Sequence, residues 1–346
     1  ISGSQVTELE CQLADYVGRK YCITCGNGTD ALSMALMAWQ IKEGDAVFVP
    51  DFTFFATGEV VSFAGATPIF VDVDERTFNM KPENLEEAIK VVLKEGKLTP
   101  KLVIPVDLFG LPADYEKIEA ITEKYGLKLL EDGAQGFGGR VGERKSCSFG
   151  EISATSFFPA KPLGCYGDGG AIFTDSDEIA AYLESIRVHG KGSYKYENVR
   201  IGWNSRLDTI QAAVMLPKFQ AFKEYELDRV NEAAAKYTEK LKGIVKTPVI
   251  PEYFYSSWAQ YTLILDSKEQ RTHLQKELKE QGIPTMVYYP KPMHLQGAFA
   301  DLGYKKGNFP VAESLCERVL SLPMHPYLNE EDIRFVANAV KAALNL

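Results

Sequence analysis

Apolar residues fall in short, nearly unbroken runs along the first two-thirds of the chain, at 21–25, 46–49, 67–71, 102–106, 128–130, 154–157 and 171–174. Such runs predict strands buried on both faces, since a strand with one wet face alternates polar and apolar residues instead. Between several of them the apolar positions recur every three or four residues, over 29–39, 82–95, 115–125 and 176–188. That spacing predicts helices with one buried stripe. Strands alternating with helices build a mainly parallel sheet covered on both sides. Ligands of such sheets bind beyond the carboxyl ends of the strands, so chemistry belongs in the segments that follow strands.

A longer helical pattern covers 207–241 and contains Pro217. Proline lacks the amide hydrogen that a helix interior uses and clashes with the preceding turn, so a kink is expected there. Beyond it lie a strand pattern at 261–265, a helix at 268–281, a strand at 284–288 and a final helix at 330–344. The expected organisation is a large domain over 1–216 and a smaller C-terminal α+β domain over 217–346, joined by the kinked helix.

The 346 residues are 45% hydrophobic and 25% charged, the composition of a globular chain with a sizeable core. A formal net charge of -9, with no run of five basic residues, disfavours nucleic acid and anionic membrane surfaces as partners. An anionic small molecule remains compatible, because a pocket's field depends on a few placed groups. No stretch approaches the roughly 20 apolar residues that span a bilayer, and no signal peptide is evident. The expected location is the cytoplasm. Six cysteines at irregular spacing read as free thiols in a reducing compartment. Cys22 and Cys25 form a C-x-x-C, but they lie in an apolar strand pattern with no second Cys/His pair nearby, which favours buried structural thiols.

Four constellations carry the chemistry. Gly26-Asn27-Gly28-Thr29 follows a strand and opens a helix, where glycines allow close backbone approach and the helix N-terminus favours an anion. Phosphate binding is one reading and an ordinary turn is the other. Glu131-Asp132-Gly133-Ala134-Gln135 places acidic residues at the end of a strand, where a carboxylate can pair with a cationic ring nitrogen or simply cap a loop. Lys161 stands alone in the apolar, glycine-rich stretch from Ser156 to Gly170, between Pro159 and Pro162. Desolvation there lowers an amine's pKa and makes it a nucleophile toward carbonyls. The fourth, Gly202-Trp203-Asn204-Ser205-Arg206, is a polar loop leading into an apolar helix and specifies no role by itself.

A phosphate turn, a carboxylate after a strand and a desolvated lysine together meet the needs of pyridoxal phosphate. In this order and spacing they resemble the DegT/DnrJ family of nucleotide-sugar aminotransferases, over nearly the whole chain from Val6 to Tyr327 and most specifically over 155–174. One subgroup is especially similar, the bacterial O-antigen enzymes that form UDP-2-acetamido-3-amino-2,3-dideoxyglucuronate. The resemblance implies the fold of aspartate aminotransferase, pyridoxal-phosphate fold type I. It also implies L-glutamate as donor, a UDP-linked keto sugar as acceptor, pyridoxamine phosphate as the intermediate cofactor form, and a homodimer with shared active sites.

By that resemblance Lys161 is the Schiff-base lysine, Asp132 the partner of the ring nitrogen, and Gln135 the neighbour of the ring hydroxyl. Gly28, Thr29 and Ser156 form the phosphate cup, and Asn204 reaches the phosphate of the neighbouring subunit. Phe54 falls where an aromatic ring stacks on the cofactor; core packing is its other reading. Tyr289 and His294 lie in the segment that borders the sugar. There the family's usual His-Tyr-Pro is Tyr288-Tyr289-Pro290. Arg206 is the candidate cation for a uronate carboxylate, with loop bracing as the alternative. A dehydratase or a cofactor-binding regulator are the rival readings; the intact Lys161, the scattered cysteines and the lack of a basic region weigh against both. Within the family, a 4-keto-6-deoxy nucleotide-sugar aminotransferase is the other reading.

Overall fold

A computed structural model describes residues 3–194 and 196–344. The chain opens with α1 (Ser4–Val17), β1 (Tyr21–Cys25), α2 (Gly28–Ala38), β2 (Asp45–Pro50), α3 (Ala56–Phe63) and β3 (Thr67–Val71). It continues through α4 (Pro82–Glu95), β4 (Thr99–Val103), α5 (Tyr115–Tyr125) and β5 (Lys128–Asp132). Two very short strands, β6 (Arg140–Val141) and β7 (Arg144–Lys145), precede β8 (Ile152–Ser156) and β9 (Gly170–Thr174). Helices α6 (Asp177–Ile186), α7 (Thr209–Ala221) and α8 (Leu227–Leu241) follow. The C-terminal part holds β10 (Phe254–Tyr255), β11 (Tyr261–Ile264), α9 (Lys268–Glu280), α10 (Pro310–Arg318), β12 (Val319–Leu322) and α11 (Glu330–Ala343).

All the apolar runs expected as strands in the first two-thirds join one seven-stranded sheet, ordered β1-β9-β8-β5-β4-β2-β3. The expected strand at 102–106 is found over 99–103, and the chain stays beside its neighbours past it: the Ile104 amide donates to Phe48 O, and Pro105 O accepts from the Asp132 amide. β2 runs parallel to β3 and β4, β4 to β5, and β5 to β8. β9 alone is reversed, antiparallel to both β1 and β8. The carboxyl ends of β1, β2, β5 and β8 therefore gather at one edge, where β9 also begins.

Alternation along the strands feeds two opposite cores. Val47 and Val49 pack with α2, α3 and α6, while Phe48 points the other way toward α4 and α5. Ile172 shares the first core, whereas Ala171 and Phe173 pack with α1 and α7. Both faces are thus covered, and the sheet is the mainly parallel, doubly covered type that the sequence pattern implies. Cys22 and Cys25 are buried free thiols on β1, pushed well up by burial. Among the described residues, no helix is long and apolar enough to cross a membrane.

Three details of the C-terminal part differ from the sequence pattern. The helix runs through Pro217 within α7, and the irregularity is a π turn at Phe222–Glu226, just beyond the proline. Phe219 and Phe222 still pack with α1, whereas Val230 and later residues build a separate core on β11 and β12. The change of core falls at the π turn, a few residues past the expected 216/217 boundary. Lastly, 284–288 is not a strand: only Met286 bridges to Ser321. Pro284 lacks a ladder donor and Pro290 follows closely, so the segment meets only one edge of β12, whose other edge pairs antiparallel with β11.

Candidate active site

β5 ends on Asp132, whose side chain is buried at the gathered strand ends. Its Oδ2 accepts from Thr57 Oγ1 at 2.8 Å and its Oδ1 from the Ala134 amide at 3.2 Å. Burial raises its pKa, opposed by those two donors and by the positive field of Lys161. The carboxyl group is thus desolvated yet equipped to carry charge.

Lys161 occupies the loop between β8 and β9. Its amide donates to Phe158 O at 2.9 Å, the Cys165 amide to Phe157 O at 2.8 Å, and Lys218 reaches the Gly164 carbonyl. The loop is therefore closed by its own backbone and pinned by α7. Desolvation lowers the Lys161 amine pKa, with Asp132 pulling in the opposite direction. A desolvated amine is less often protonated and attacks carbonyl carbon more readily.

Across the edge, Asn27 caps α2 by accepting the Asp30 amide at 2.8 Å, which leaves the first amides of the helix facing outward. A Cβ on Gly28 would lie 2.7 Å from Ser156 Cβ, so only glycine lets the helix start this close to the end of β8. Gly28 and Thr29, at the start of α2, thus lie beside Ser156 at the end of β8, and a helix start is a place where an anion can be received. Ser205 ties the 204–206 loop to it, accepting from the Gly26 amide at 2.9 Å and donating to Asp30 Oδ2 at 2.6 Å.

Gln135 is held from two sides. Its Oε1 accepts from the Phe109 amide at 2.8 Å and its Nε2 donates to the Tyr289 hydroxyl at 3.0 Å. The Tyr289 ring packs near Phe52 and Phe54, with centroids 6.0 and 6.3 Å away. Phe54 is 54% exposed although large and aromatic, so its ring is free to cover a planar ligand. A cleft of about 650 Å³ opens beside Lys161, bordered by Phe222 of the π turn, Trp258, His325 and Tyr327.

Lys161 and Asp132 thus act on one another electrostatically, Gly28 and Ser156 touch, and Gln135 joins Tyr289. Asn204 is exposed and accepts from Arg206, a partner for which the loop alone gave no signal. His294 is not brought to the cleft. Its ring is fully buried: Nδ1 lies 2.7 Å from Asp51 Oδ2, and Nε2 lies 3.2 Å from Glu313 Oε1 without hydrogen-bond alignment. Sequence reasoning missed Thr57 and Ser205. The only signal for Thr57 is its spacing from Thr53, four residues earlier, in a segment that also carries Phe54.

The donors fit pyridoxal phosphate: a nucleophilic amine, a buried carboxylate with lone pairs to spare, a helix start too close to Ser156 for a Cβ, where an anion can be received, and an open aromatic ring. Fold and site define a pyridoxal-phosphate-dependent aminotransferase of fold type I. The sequence pattern of the DegT/DnrJ/EryC1/StrS aminotransferase family matches residues 1–341, and the chain belongs to that family.

It is 46% identical over 343 residues to the UDP-2-acetamido-2-deoxy-3-oxo-D-glucuronate aminotransferase of Pseudomonas aeruginosa, covering 98% of this chain and 91% of that one. A DegT DnrJ EryC1 StrS aminotransferase from Brucella abortus superposes with a TM-score of 0.95 at 50% identity, over 99% of this chain and 91% of that one. NtdA from Bacillus subtilis, solved with pyridoxamine phosphate bound, superposes with a TM-score of 0.90 at 30% identity, over 100% of this chain and 78% of that one.

Proposed function

We propose that the protein transfers the amino group of L-glutamate to C3 of a UDP-linked 2-acetamido-3-keto hexuronic acid, in the synthesis of a bacterial surface polysaccharide of the O-antigen type. The observation that carries this reading is the 46% identity to the glucuronate enzyme, spread along 98% of the chain rather than confined to the cofactor residues.

Pyridoxal phosphate, when bound, supplies the carbonyl that takes up the amino group and the ring that absorbs the electrons of the broken C–H bond. The chain's own residues do the rest. Lys161 Nζ takes the proton from the donor's α-carbon and, in the second half of the cycle, delivers one to sugar C3. Asp132 keeps a negative charge opposite the ring nitrogen. The Gly28 and Thr29 amides with the Ser156 hydroxyl hold the phosphate. Phe54 would cover the ring, and Gln135, held by its hydrogen bond to Tyr289, would stand beside the ring hydroxyl.

Two chains share each site in this proposal, with Asn204 completing the phosphate cup of the neighbouring subunit. Ile201 and Ile210, 86% and 77% exposed on either side of Asn204, support a covered surface there. The buried free thiols favour a reducing, cytoplasmic setting. The sugar carboxylate needs a local cation in a protein of net charge -9, and Arg206 offers a planar fork for it. Arg206→Ala is then expected to impair the 3-keto uronate about ten- to hundredfold more than the matching neutral 3-keto sugar, with the glutamate half-reaction little changed. Equal losses on both sugars remove Arg206 from that role. Turnover of 4-keto-6-deoxy sugars, with none of the uronate, removes the substrate.

A further inference from the structure

Asp132 is one of the few carboxylates at the site, and burial works against its charge. A neutral acid there could not balance a protonated ring nitrogen, so something must hold the ionised form. The Ala134 amide is one donor and belongs to the loop's own backbone. The other comes from a distant element: Thr57, in the first turn of α3, points its hydroxyl at Asp132 Oδ2 at 2.8 Å.

A hydroxyl has a single hydrogen. With that hydrogen given to Asp132, the Thr57 oxygen can only accept, and Thr53 Oγ1 lies 3.1 Å away to donate to it. Thr53, Thr57 and Asp132 are all buried, and the order of donation Thr53 to Thr57 to Asp132 uses each hydroxyl hydrogen once. A carboxylate offers about four lone-pair positions. The two donors occupy two of them, one on each oxygen, and the others remain for a ligand. Charge-assisted hydrogen bonds in such a low-dielectric setting are the strong ones.

We propose that Thr57, backed by Thr53, is a positioning residue for Asp132, holding its carboxylate ionised and aimed so that it can meet the cationic ring nitrogen of pyridoxal phosphate. The proposal rests on the cofactor assignment above. A hydroxyl that merely filled a buried space would serve any ring of the same shape, whereas this one serves a ring that carries a protonated nitrogen.

The test compares two ligands on the cofactor-free protein: pyridoxal phosphate and its carbon analogue, in which C–H replaces the ring nitrogen. Thr57→Val keeps the shape and removes the hydroxyl; Thr57→Ser keeps the hydroxyl. Affinities come from calorimetric titration, with melting temperatures measured alongside. Thr57→Val is expected to weaken pyridoxal phosphate by about tenfold while changing the carbon analogue little, and Thr57→Ser to recover most of the loss. Removing a donor raises the carboxyl pKa, so the loss on pyridoxal phosphate is expected to deepen as pH falls, a dependence weaker in the unaltered protein.

Thr53→Val, which leaves Thr57 in place, is expected to give a smaller loss with the same selectivity, and serves as the test should Thr57→Val not fold. Equal losses on the two ligands, or no loss on either, overturn the proposal while leaving the cofactor assignment intact. An unaltered protein that binds both ligands equally well, with Asp132→Ala indifferent too, overturns the assignment of Asp132 itself.

Discussion

The Gln135 amide donates to the Tyr289 hydroxyl at 3.0 Å across 154 residues of sequence, joining the loop after β5 to the segment that follows α9. Tyr289→Phe keeps the ring and removes the acceptor, leaving a buried Gln135 N–H group short of a partner, a cost of about 1–3 kcal/mol. The expected outcome is a kcat/KM about five- to tenfold lower, with the melting temperature lowered by a few degrees. Steady-state kinetics with melting curves checks it; an unaltered kcat/KM contradicts it.

The contact between Gly28 and Ser156 gives a second expectation. A methyl group at position 28 would sit 2.7 Å from Ser156 Cβ, and both atoms belong to short, stiff positions. Gly28→Ala should therefore displace the start of α2 at an overpacking cost of about 1–3 kcal/mol. Pyridoxal phosphate binding is expected to fall about tenfold or more, whereas pyridoxal without the phosphate should be little affected. Equal losses on the two ligands would mean that Gly28 does not serve the phosphate.

His294 leads to a pH dependence rather than a substrate contact. Burial opposes its charge, but the hydrogen bond to Asp51 and the fields of Asp51 and Glu313 outweigh that and hold its pKa above the ordinary value. A raised folded-state pKa means the imidazolium stabilises the fold fully below about pH 6.5. That contribution is lost as pH rises through the raised value. Melting temperature is expected to fall on going from neutral to mildly alkaline pH, and His294→Gln is expected to flatten the slope. An unchanged slope in the variant would place the dependence elsewhere.

Subunit sharing is tested by complementation. A Lys161→Ala chain and a chain carrying an inactivating Asn204 substitution should each be inactive, and their verified heterodimers should regain part of the activity. Recovery is expected because one of the two sites then combines intact Lys161 with intact Asn204. No recovery would assign Asn204 to its own subunit.

What the sequence showed and what it hid follow a physical division. Lys161 stands out locally, as a lone lysine among apolar residues and glycines, whereas the residues around Asp132 and Gly28 each allow two readings and only the family resemblance chooses between them. The parallel sheet was legible because burial on both faces leaves unbroken apolar runs. Thr57 was not, since its meaning lies in a contact 75 residues away that leaves no periodic trace. The family resemblance puts His294 in the segment bordering the sugar, whereas its ring lies in the interior against Asp51 and Glu313. The strand expected at 284–288 had the right apolar content, but Pro284 removed the donor that a ladder needs. β12, in a stretch where no strand is expected, lies between that segment and β11.

Amino transfer itself is tested most directly with ¹⁵N-labelled L-glutamate, the UDP-linked 2-acetamido-3-keto hexuronic acid and the protein loaded with pyridoxal phosphate, followed by mass spectrometry. The label is expected in the sugar nucleotide, one nitrogen per molecule, in step with 2-oxoglutarate formation, and absent when Lys161→Ala replaces the unaltered protein. Cofactor bound at Lys161 with no label reaching this or any other keto-sugar nucleotide would contradict the account.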